Sequence, residues 1–373
     1  MKIFLLMFLA VYGGMHILVF WGFHPLLKGH PALPTLTWIW MAGMIMTPVL
    51  VRFAERVGLE TFARGLAWVG YSWMGVVFLA FSVFVLVGLW ELVFYFASRL
   101  LPQLPNLSLH GAVTATVVLF VVIAASFYGL YEANNLQIER VRIVSSKLSP
   151  GTPPVRIAQI SDLHLGLIHR EEALAPIINR LQELQPDVLV ATGDIVDAQI
   201  NHLDELINLW QRINPPLGMY AVTGNHEYYA GLEQSLDFLH RSGFQILRNH
   251  SMNVGDWLKV VGVDDPARGG TPDENEALGE RSERFTLLLK HRPDFITAST
   301  GKFDLQLSGH GHGGQIFPFN LLTAIKYPLL DGLYTLADNQ YLYTSRGTGT
   351  WGPPMRILSP PEITLFEIVP EAP

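Results

Sequence analysis

Aspartate, asparagine and histidine side chains recur in short motifs between residues 162 and 312. The five motifs are Asp162-Leu163-His164, Gly193-Asp194, Gly224-Asn225-His226-Glu227, Lys290-His291 and Gly309-His310-Gly311-His312. Together they supply two aspartates, an asparagine and five histidines, which are ligand types that suit manganese, iron or zinc. A pair of divalent metals held in this way clamps a phosphoryl group and activates water at neutral pH. The motifs therefore predict a two-metal hydrolytic centre.

The elements that must position these side chains are buried strands, because each motif begins where an apolar segment stops. The predicted strands cover 155–161, 188–192, 219–223, 285–290 and 305–308. Amphipathic patterns predict helices over 171–183, 202–212 and 232–241. This alternation is typical of an α/β sheet with crossover helices, whose ligands gather at the carboxyl ends of the strands. We expect the five loops to converge on one point.

Further strands are predicted before and after this region. Alternating polar and apolar residues favour a strand over 137–144. The later strands cover 244–248, 257–263, 333–337, 340–345 and 362–369. Because no helical pattern separates these later strands, we expect them to form an antiparallel portion.

In this order the motifs resemble the calcineurin-like metallophosphoesterase superfamily, whose signature runs D-x-H, G-D, G-N-H-[DE], H and G-H-x-H. The resemblance covers 155–315 by motifs and 137–369 as a fold, and implies an α/β/β/α sandwich in a domain over 135–373. Three segments resemble the bacterial membrane-associated YkuE/YaeI-like branch: Ser161-Asp162-Leu163-His164-Leu165-Gly166, His291-Arg292-Pro293-Asp294 and Gly313-Gly314-Gln315-Ile316. That branch includes enzymes acting on UDP-2,3-diacylglucosamine.

Residue by residue, the resemblance implies a set of metal ligands. One metal would be held by Asp162, His164 and His312. The second would be held by Asn225, His291 and His310, and Asp194 would bridge the two. His226 would face the phosphate, where it stabilises the developing charge or gives a proton to the leaving oxygen.

Residues outside the motifs are candidates for supporting roles. Arg346 could place a cation near the phosphate, or be an ordinary surface arginine. Lys326 is the only charge in the apolar segment 316–330 and could meet lipid phosphates. That segment is expected either to dip into a membrane interface and cradle an acyl chain, or to pack against the sheet. Asp265 is a candidate for orienting a metal ligand.

Composition and charge separate the chain into two parts. Of the 373 residues, 50% are hydrophobic and 15% are charged, whereas about a quarter is usual for the charged share. Residues 1–134 contain six lysines and arginines and four acids, so residues 135–373 carry most of the acidic charge. An acidic domain is a poor candidate for nucleic-acid binding. The chain has no cysteine, which excludes disulfides, zinc–thiolate sites and thiol nucleophiles.

Residues 1–134 are predicted to form a transmembrane helical region. Apolar runs cover 4–23, 35–51, 66–90 and 111–131, and about 20 residues are enough to span a bilayer. Arg52, Arg56 and Arg64 concentrate positive charge in one loop. The positive-inside rule then puts the carboxyl-terminal domain in the cytoplasm, at a bacterial inner membrane. A cleaved first run, or a second run that does not span, would change this orientation.

Three functions fit these observations. The first is a membrane-bound, dinuclear-metal phosphoesterase that cleaves a phosphodiester or pyrophosphate bond of a lipid-linked substrate. The second is a tethered phosphodiesterase for soluble nucleotides. The third is a metal-binding membrane scaffold without activity, which the extra His226 disfavours, because a closed structural site has no use for it. The lipid bilayer and a phosphate ester are the expected partners, and the sequence leaves the oligomeric state open.

Overall fold

The structure, a computed structural model, describes residues 2–197, 203–336 and 340–371. Positions 202 and 337, predicted as ends of a helix and a strand, lie outside the described residues, as do 372 and 373. The chain divides into two compact units. The helical unit comprises Met1–Tyr131 with Gly352–Met355, and the sheet unit comprises Glu132–Trp351 with Arg356–Pro373.

The helical unit is built from the predicted apolar runs. Its helices are α1 (Lys2–Leu27), α2 (Leu33–Arg56), α3 (Glu60–Leu100) and α4 (Ala112–Ala133). All four are long and apolar enough to cross a membrane by length and composition. The 41 residues of α3 extend for about 60 Å, roughly twice the thickness of a hydrocarbon core. The predicted span 66–90 is therefore only part of a longer helix.

Small residues allow these helices to approach closely, as in membrane bundles. A side chain at Gly70 of α3 would overlap Thr47 of α2, and one at Gly22 of α1 would overlap Phe84 of α3. His16 of α1 is buried, and its Nε2 accepts a 3.0 Å hydrogen bond from the indole N–H of Trp73. A polar side chain inside the helical unit is thus satisfied by its neighbours.

The sheet unit contains two six-stranded sheets. The first has the order β1-β12-β2-β3-β4-β5 and the second β10-β11-β9-β8-β7-β6. The strands are β1 (Gln137–Ser145), β2 (Val155–Ile160), β3 (Val188–Ala191), β4 (Met219–Ala221), β5 (Gln245–Ile246), β6 (His250–Val254), β7 (Leu258–Gly262), β8 (Phe285–Leu289), β9 (Leu305–Ser308), β10 (Gly332–Thr335), β11 (Tyr341–Thr344) and β12 (Glu362–Pro370).

Shorter helices connect and cover these strands. They are α5 (Glu171–Leu184), α6 (Asp204–Trp210), α7 (Asn225–Ala230), α8 (Leu232–Arg241), α9 (Glu274–Leu278) and α10 (Phe319–Lys326). The predicted helices over 171–183 and 232–241 are confirmed as α5 and α8. The helix predicted over 202–212 is shorter among the described residues, where α6 ends at Trp210.

Successive side chains along a strand pack on opposite faces of its sheet, and this alternation forms separate core layers on the two faces. Val188 and Val190 of β3 face a core shared by both sheets, whereas Leu189 faces a second core formed with α5, α6 and α8. In β8, Leu287 faces the shared core and Leu288 packs with α9. Successive strand residues point to opposite faces, so apolar residues at every position build a sheet covered on both sides. This is the predicted α/β/β/α sandwich.

The antiparallel portion expected of the later strands is confirmed for β10 with β11 and for β12 with β2, but β5 pairs in parallel with β4, and β7 pairs in parallel with β8. In the second sheet the pairs β7–β8, β8–β9 and β9–β11 are parallel, and antiparallel pairing occurs only at β6–β7 and β10–β11 among the described strands. Parallel neighbours need a long crossover, but it need not be a helix. The connection from β8 to β9 has only a 3-10 turn, Thr297–Ser299, and therefore carries no helical sequence pattern.

Candidate metal centre

The five motifs follow five neighbouring parallel strands. In the first sheet β2, β3 and β4 are adjacent and parallel, and they lead to Asp162, Asp194 and Asn225. In the second sheet β8 and β9 are adjacent and parallel, and they lead to His291 and His310. Because carboxyl ends of parallel strands share one edge of a sheet, both sheets deliver ligands to the same place.

The first group of side chains consists of Asp162, His164 and His312. Their ligand atoms lie within 4.8 Å of one another. The Nε2 atoms of His164 and His312 are 3.1 Å apart, and the Nε2 of His312 is 3.5 Å from the Oδ1 of Asp162. All three residues are buried. Three of the predicted ligands of one metal are thus brought together.

The second group consists of Asp194, His291 and His310, also within 4.8 Å of one another. The Oδ2 of Asp194 lies 3.1 Å from the Nε2 of His291 and 4.0 Å from the Nε2 of His164 in the first group. The Nδ1 of His310 is 3.1 Å from the Nε2 of His291. Asp194 therefore lies between the two groups, where a bridging carboxylate is required.

These groups fit divalent metals, as two observations indicate. Two nitrogens bound tetrahedrally to one metal at about 2.0–2.1 Å are about 3.3 Å apart, close to the 3.1 Å separations of His164 from His312 and of His291 from His310. In addition, the buried Oδ1 of Asn225 has no hydrogen-bond partner among the described residues. A buried polar atom without a partner is costly, and a cation would satisfy it.

Hydrogen bonds to the opposite ring nitrogen orient two of the histidines. The Nδ1 of His291 is 2.8 Å from the carbonyl of Thr192, so this nitrogen donates and Nε2 faces the site. The Nε2 of His310 is 3.0 Å from the hydroxyl of Tyr327, which leaves Nδ1 for a metal. Partners of this kind fix the tautomer and the ring orientation of a metal ligand.

His226 differs from the other histidines because it is held by a carboxylate. Its Nδ1 lies 2.8 Å from the Oδ1 of Asp197, and its backbone N–H donates to the Oδ1 of Asp194 at 2.8 Å. Burial lowers the pKa of His226, but Asp194 and Asp197 more than reverse this and raise it to about 9. The ring is therefore held ready to carry a proton.

Burial and neighbouring charges shift the pKa values of the site residues in both directions. Burial would raise the pKa of Asp194, but His291 and His226 hold it well below its usual range. Burial would likewise lower the pKa of His291, and Asp194 with Asp162 raises it to about 10. Burial and the positive charge of His291 lower the pKa of His310 to about 3. The ionised Asp194 thus favours a positive charge on His291, whereas a further positive charge on His310 is disfavoured.

Glycine is required where two loops touch. A side chain at Gly193 would lie 2.7 Å from the Nδ1 of His291 and from the backbone nitrogen of Gly224, and its φ is +92°. A side chain at Gly309 would overlap Ser161 and Asp162. Only glycine permits both the left-handed backbone and the close approach.

The two predicted substrate cations lie in different surroundings. The guanidinium of Arg346 forms ion pairs with Glu139 and Glu362, both at 2.6 Å, and with Asp331 at 3.4 Å. The positive charge of Arg346 is therefore neutralised by carboxylates of β1 and β12. The structure lends no support to a role of Arg346 in substrate binding. Lys326 is exposed at the end of α10, 5.2 Å above the ring of Tyr327, and thus lies beside a partner of His310.

Sequence reasoning missed Asp197, Tyr327 and a second arginine. Arg292 is held by Asp265 through two hydrogen bonds of 2.8 and 3.0 Å, and it lines a cavity of about 310 Å³ together with His291 and Tyr327. Asp265 therefore orients an arginine rather than a metal ligand directly. The available signals were a carboxylate three residues after Asp194 and the arginine that follows His291.

Two half-exposed aromatic rings flank His226 and were also missed. The rings of Tyr229 and Trp351 lie 5.3 and 5.7 Å from that of His226, with 40% and 54% of their surface exposed. The backbone of Trp351 is fixed by Gln315, which donates to its carbonyl and accepts from its N–H, both at 2.9 Å. Exposed aromatic rings in fixed positions beside a reactive histidine can contact a leaving group.

Comparison with known proteins agrees with this geometry. Residues 155–314 match the calcineurin-like phosphoesterase family. An uncharacterised metallophosphoesterase of Aquifex aeolicus is 40% identical over 258 residues, which cover 67% of this chain and 98% of that protein. A transmembrane protein with a metallophosphoesterase domain from Danio rerio is 34% identical, covering 68% of this chain and 62% of that protein.

The resemblance to the YkuE-like branch is confirmed as well. The uncharacterised metallophosphoesterase YkuE of Bacillus subtilis is 33% identical over 64% of this chain and 87% of its own length. The chain belongs to the calcineurin-like phosphoesterase family, and it is a metal-dependent phosphoester hydrolase. The four apolar helices and the transmembrane relative suggest that it associates with a membrane.

Proposed function

We propose that this protein is a membrane-bound, dinuclear-metal phosphoesterase that cleaves a phosphodiester or pyrophosphate bond of a lipid-linked substrate. The observation that carries the proposal is the position of Asp194, whose carboxylate is within 4.0 Å of His291 in one ligand group and of His164 in the other. Two metals, when bound, supply Lewis acidity and an activated water. Manganese, iron and zinc all suit this donor set.

The residues of the site bind the metals, donate a proton and position the phosphate. Asp162, His164 and His312 form one binding group, and Asn225, His291 and His310 the other, with Asp194 common to both. His226, held by Asp197 at 2.8 Å, donates a proton to the leaving oxygen. Arg292, rather than Arg346, supplies a fixed cation near the phosphate, because Asp265 uses only two of the five N–H donors of its guanidinium.

The lipid-linked character of the substrate is supported by the helical unit. A soluble phosphate ester requires no membrane, whereas four helices able to cross one precede the catalytic domain. Only residues 134–136 separate α4 from β1, and three residues extend for at most about 10 Å. The domain that contains the metal centre therefore begins directly after a helix able to cross a membrane. The arginines of the loop at 52–64 favour the cytoplasmic side.

A soluble nucleotide is the second candidate substrate, and Tyr229 and Trp351 favour it. Both rings are exposed beside His226, and a base can stack on such rings with about 1–3 kcal/mol of stabilisation. In this case the helical unit would serve only as an anchor. The two candidates differ in whether the hydrophobic part of the substrate contributes to kcat/KM.

The test is turnover by the purified full-length chain in detergent. We expect manganese-dependent hydrolysis of bis-p-nitrophenyl phosphate, which Asp194→Asn abolishes, with a loss of about 10³-fold or more, since the bridging charge is gone. Asp237→Asn is the matched control, because Asp237 is exposed and pairs with Arg241 at the surface. Full metal loading without turnover would contradict the proposal and support a scaffold, and activity in Asp194→Asn would refute the bridge.

Substrate class is decided by comparing kcat/KM for phospholipid and UDP-diacylglucosamine-type diphosphates with that for cyclic and linear nucleotides. Higher values for the lipids support the lipid-linked proposal. Higher values for soluble nucleotides, together with a loss in Trp351→Ala, would overturn it in favour of the second candidate.

A further inference from the structure

An apolar surface lies next to the metal centre on α10, the helix that follows the last histidine motif. Leu321, Leu322 and Ile325 are 60%, 61% and 79% exposed, and their spacing places them on one side of the helix. Phe317 and Phe319 are also exposed. No residue of α10 is buried. We call Leu321, Leu322 and Ile325, with Phe317 and Phe319, the α10 face.

The α10 face is attached firmly to the site. A side chain at Gly314 would overlap the backbone of Asn320 in α10, and one at Gly311 would lie 3.9 Å from Thr323. Tyr327, the residue directly after α10, reaches His310 through its hydroxyl at 3.0 Å. Whatever covers the α10 face is therefore held within one helix of the predicted metal ligands.

Packing against the protein does not account for this surface. The ends of segment 316–330 pack against the sheet unit, because Ile316 is buried and the carbonyl of Leu329 accepts from the hydroxyl of Thr344 at 2.7 Å, but α10 between them has no buried residue. Other exposed aliphatic side chains of the sheet unit, such as Val144, Ile296 and Leu358, are isolated from one another in the described sequence. A contiguous exposed apolar patch on a folded domain marks an interaction surface.

We propose that the α10 face docks onto the interface of the phospholipid bilayer that holds the helical unit. Three features select this occupant over a protein. The domain is tethered by residues 134–136 to a helix able to cross a membrane. The face is purely apolar, and Lys326 at its end is exposed, so that the ammonium can reach lipid phosphates while its stem stays in the apolar layer.

This docking provides a path for substrate, and that part rests on the proposed function. A phospholipid lifted beside the α10 face would keep its acyl chains against Leu322 and Ile325 while its phosphate meets Lys326. Tyr327, the next residue along the chain, contacts His310 through its hydroxyl and so connects this position to the metal centre. The contact between α10 and the bilayer is itself independent of whether the chain hydrolyses anything.

The absence of cysteine allows a single-site probe of this contact. Ile325→Cys, labelled with an environment-sensitive fluorophore, is placed in nanodiscs of equal parts phosphatidylcholine and phosphatidylglycerol. Gln182→Cys is the matched control, because Gln182 is exposed on a polar surface beside Arg212. We expect lipids brominated in their acyl chains to quench the Ile325 probe at least about two-fold, since the apolar face of an interfacial helix reaches the acyl boundary, and to leave the control unchanged.

Equal responses of the two probes would overturn the docking proposal. Quenching that is absent while the Ile325 probe shifts with protein concentration would also overturn it, and would identify a second copy of the chain as the occupant. Neither result involves turnover, so a failed phosphoesterase proposal and a failed docking proposal are distinguishable.

A second measurement tests the path. In Leu322→Asn/Ile325→Asn we expect kcat/KM for a phospholipid in nanodiscs to fall about ten-fold or more, because apolar contact to the acyl chains is lost. Hydrolysis of bis-p-nitrophenyl phosphate should stay within about two-fold, as it should in the exposed control Val144→Asn. Equal losses on both substrates would refute the path.

Discussion

Glu227 is expected to be the residue that holds the metal-binding loops together, although it contacts no metal. Its side chain is fully buried. Its Oε1 accepts from the backbone N–H groups of Ile195 and Val196 at 2.8 and 3.2 Å. Its Oε2 accepts from those of Asp194 and Gly224 at 3.0 and 2.7 Å. One carboxylate thus joins the loop after β3 to the loop after β4.

Changing Glu227→Gln removes half of these contacts. The amide keeps one oxygen, but its NH₂ group replaces the other and faces two N–H donors. Each buried donor left without an acceptor costs about 1–3 kcal/mol, so we expect a loss of about 2–4 kcal/mol if the loops relax partly. For a domain of this size that lowers Tm by about 4–16 °C. The bridging Asp194 would also move, and turnover should fall.

The assay is thermal unfolding of the metal-loaded full-length chain in detergent, followed by intrinsic fluorescence. The matched control is Glu183→Gln, because the side chain of Glu183 is 63% exposed and pairs with Arg180 at the surface. We expect the control to change stability by no more than about 0.5 kcal/mol. If the Tm of Glu227→Gln is the same as that of Glu183→Gln, the contacts of Glu227 do not stabilise the loops as argued.

Three more predictions follow from the same contacts. Asp197→Asn should lower kcat about 10- to 100-fold with little change in Tm, since it removes the charge that orients His226; an unchanged kcat would exclude this role. Arg346→Met should lower stability by about 3–5 kcal/mol because it leaves the buried Glu362 unpaired, while KM of the surviving enzyme stays near that of wild type; a selective rise in KM would instead restore the substrate role. Chelation should lower Tm, and manganese should restore it with the logarithm of its free concentration above saturation; a Tm insensitive to chelator would argue against resident metals.

Local signals in the sequence were enough to predict the architecture of the site. Apolar residues at every position of β3 and at all but Thr286 of β8 predicted strands covered on both faces, and the motifs began where those strands end. Since ligands collect at the carboxyl ends of parallel strands, convergence of Asp194 and His291 followed without any knowledge of the order of strands. The boundaries of β9 and α8 were predicted to the residue.

Local sequence signals could not predict which residues pair when they lie far apart in the chain. Arg346 resembles a free cation in its own segment, but its partner Glu139 is 207 residues away. Asp265 likewise meets Arg292 across 27 residues. Which carboxylate meets which guanidinium depends on strand order, and the sequence did not predict the parallel pairing of β7 with β8 or of β11 with β9. The sequence also could not show whether α10 is buried or exposed, because this too depends on contacts between distant parts of the chain.

Backbone conformation identifies the centre independently of side-chain type. Nine non-glycine residues have left-handed φ among the described residues, and five of them are Asp162, His164, Asp194, His310 and His312, with φ between 48° and 70°. Each costs roughly 1–2 kcal/mol, and such strain persists only where the surroundings determine it. Hydrogen bonds from His164 N–H to the Asp194 carbonyl and from His310 N–H to the Asp162 carboxylate offset part of it. A pair of bound cations at the point where these side chains meet would add a further attraction, and this donor set can supply its ligands.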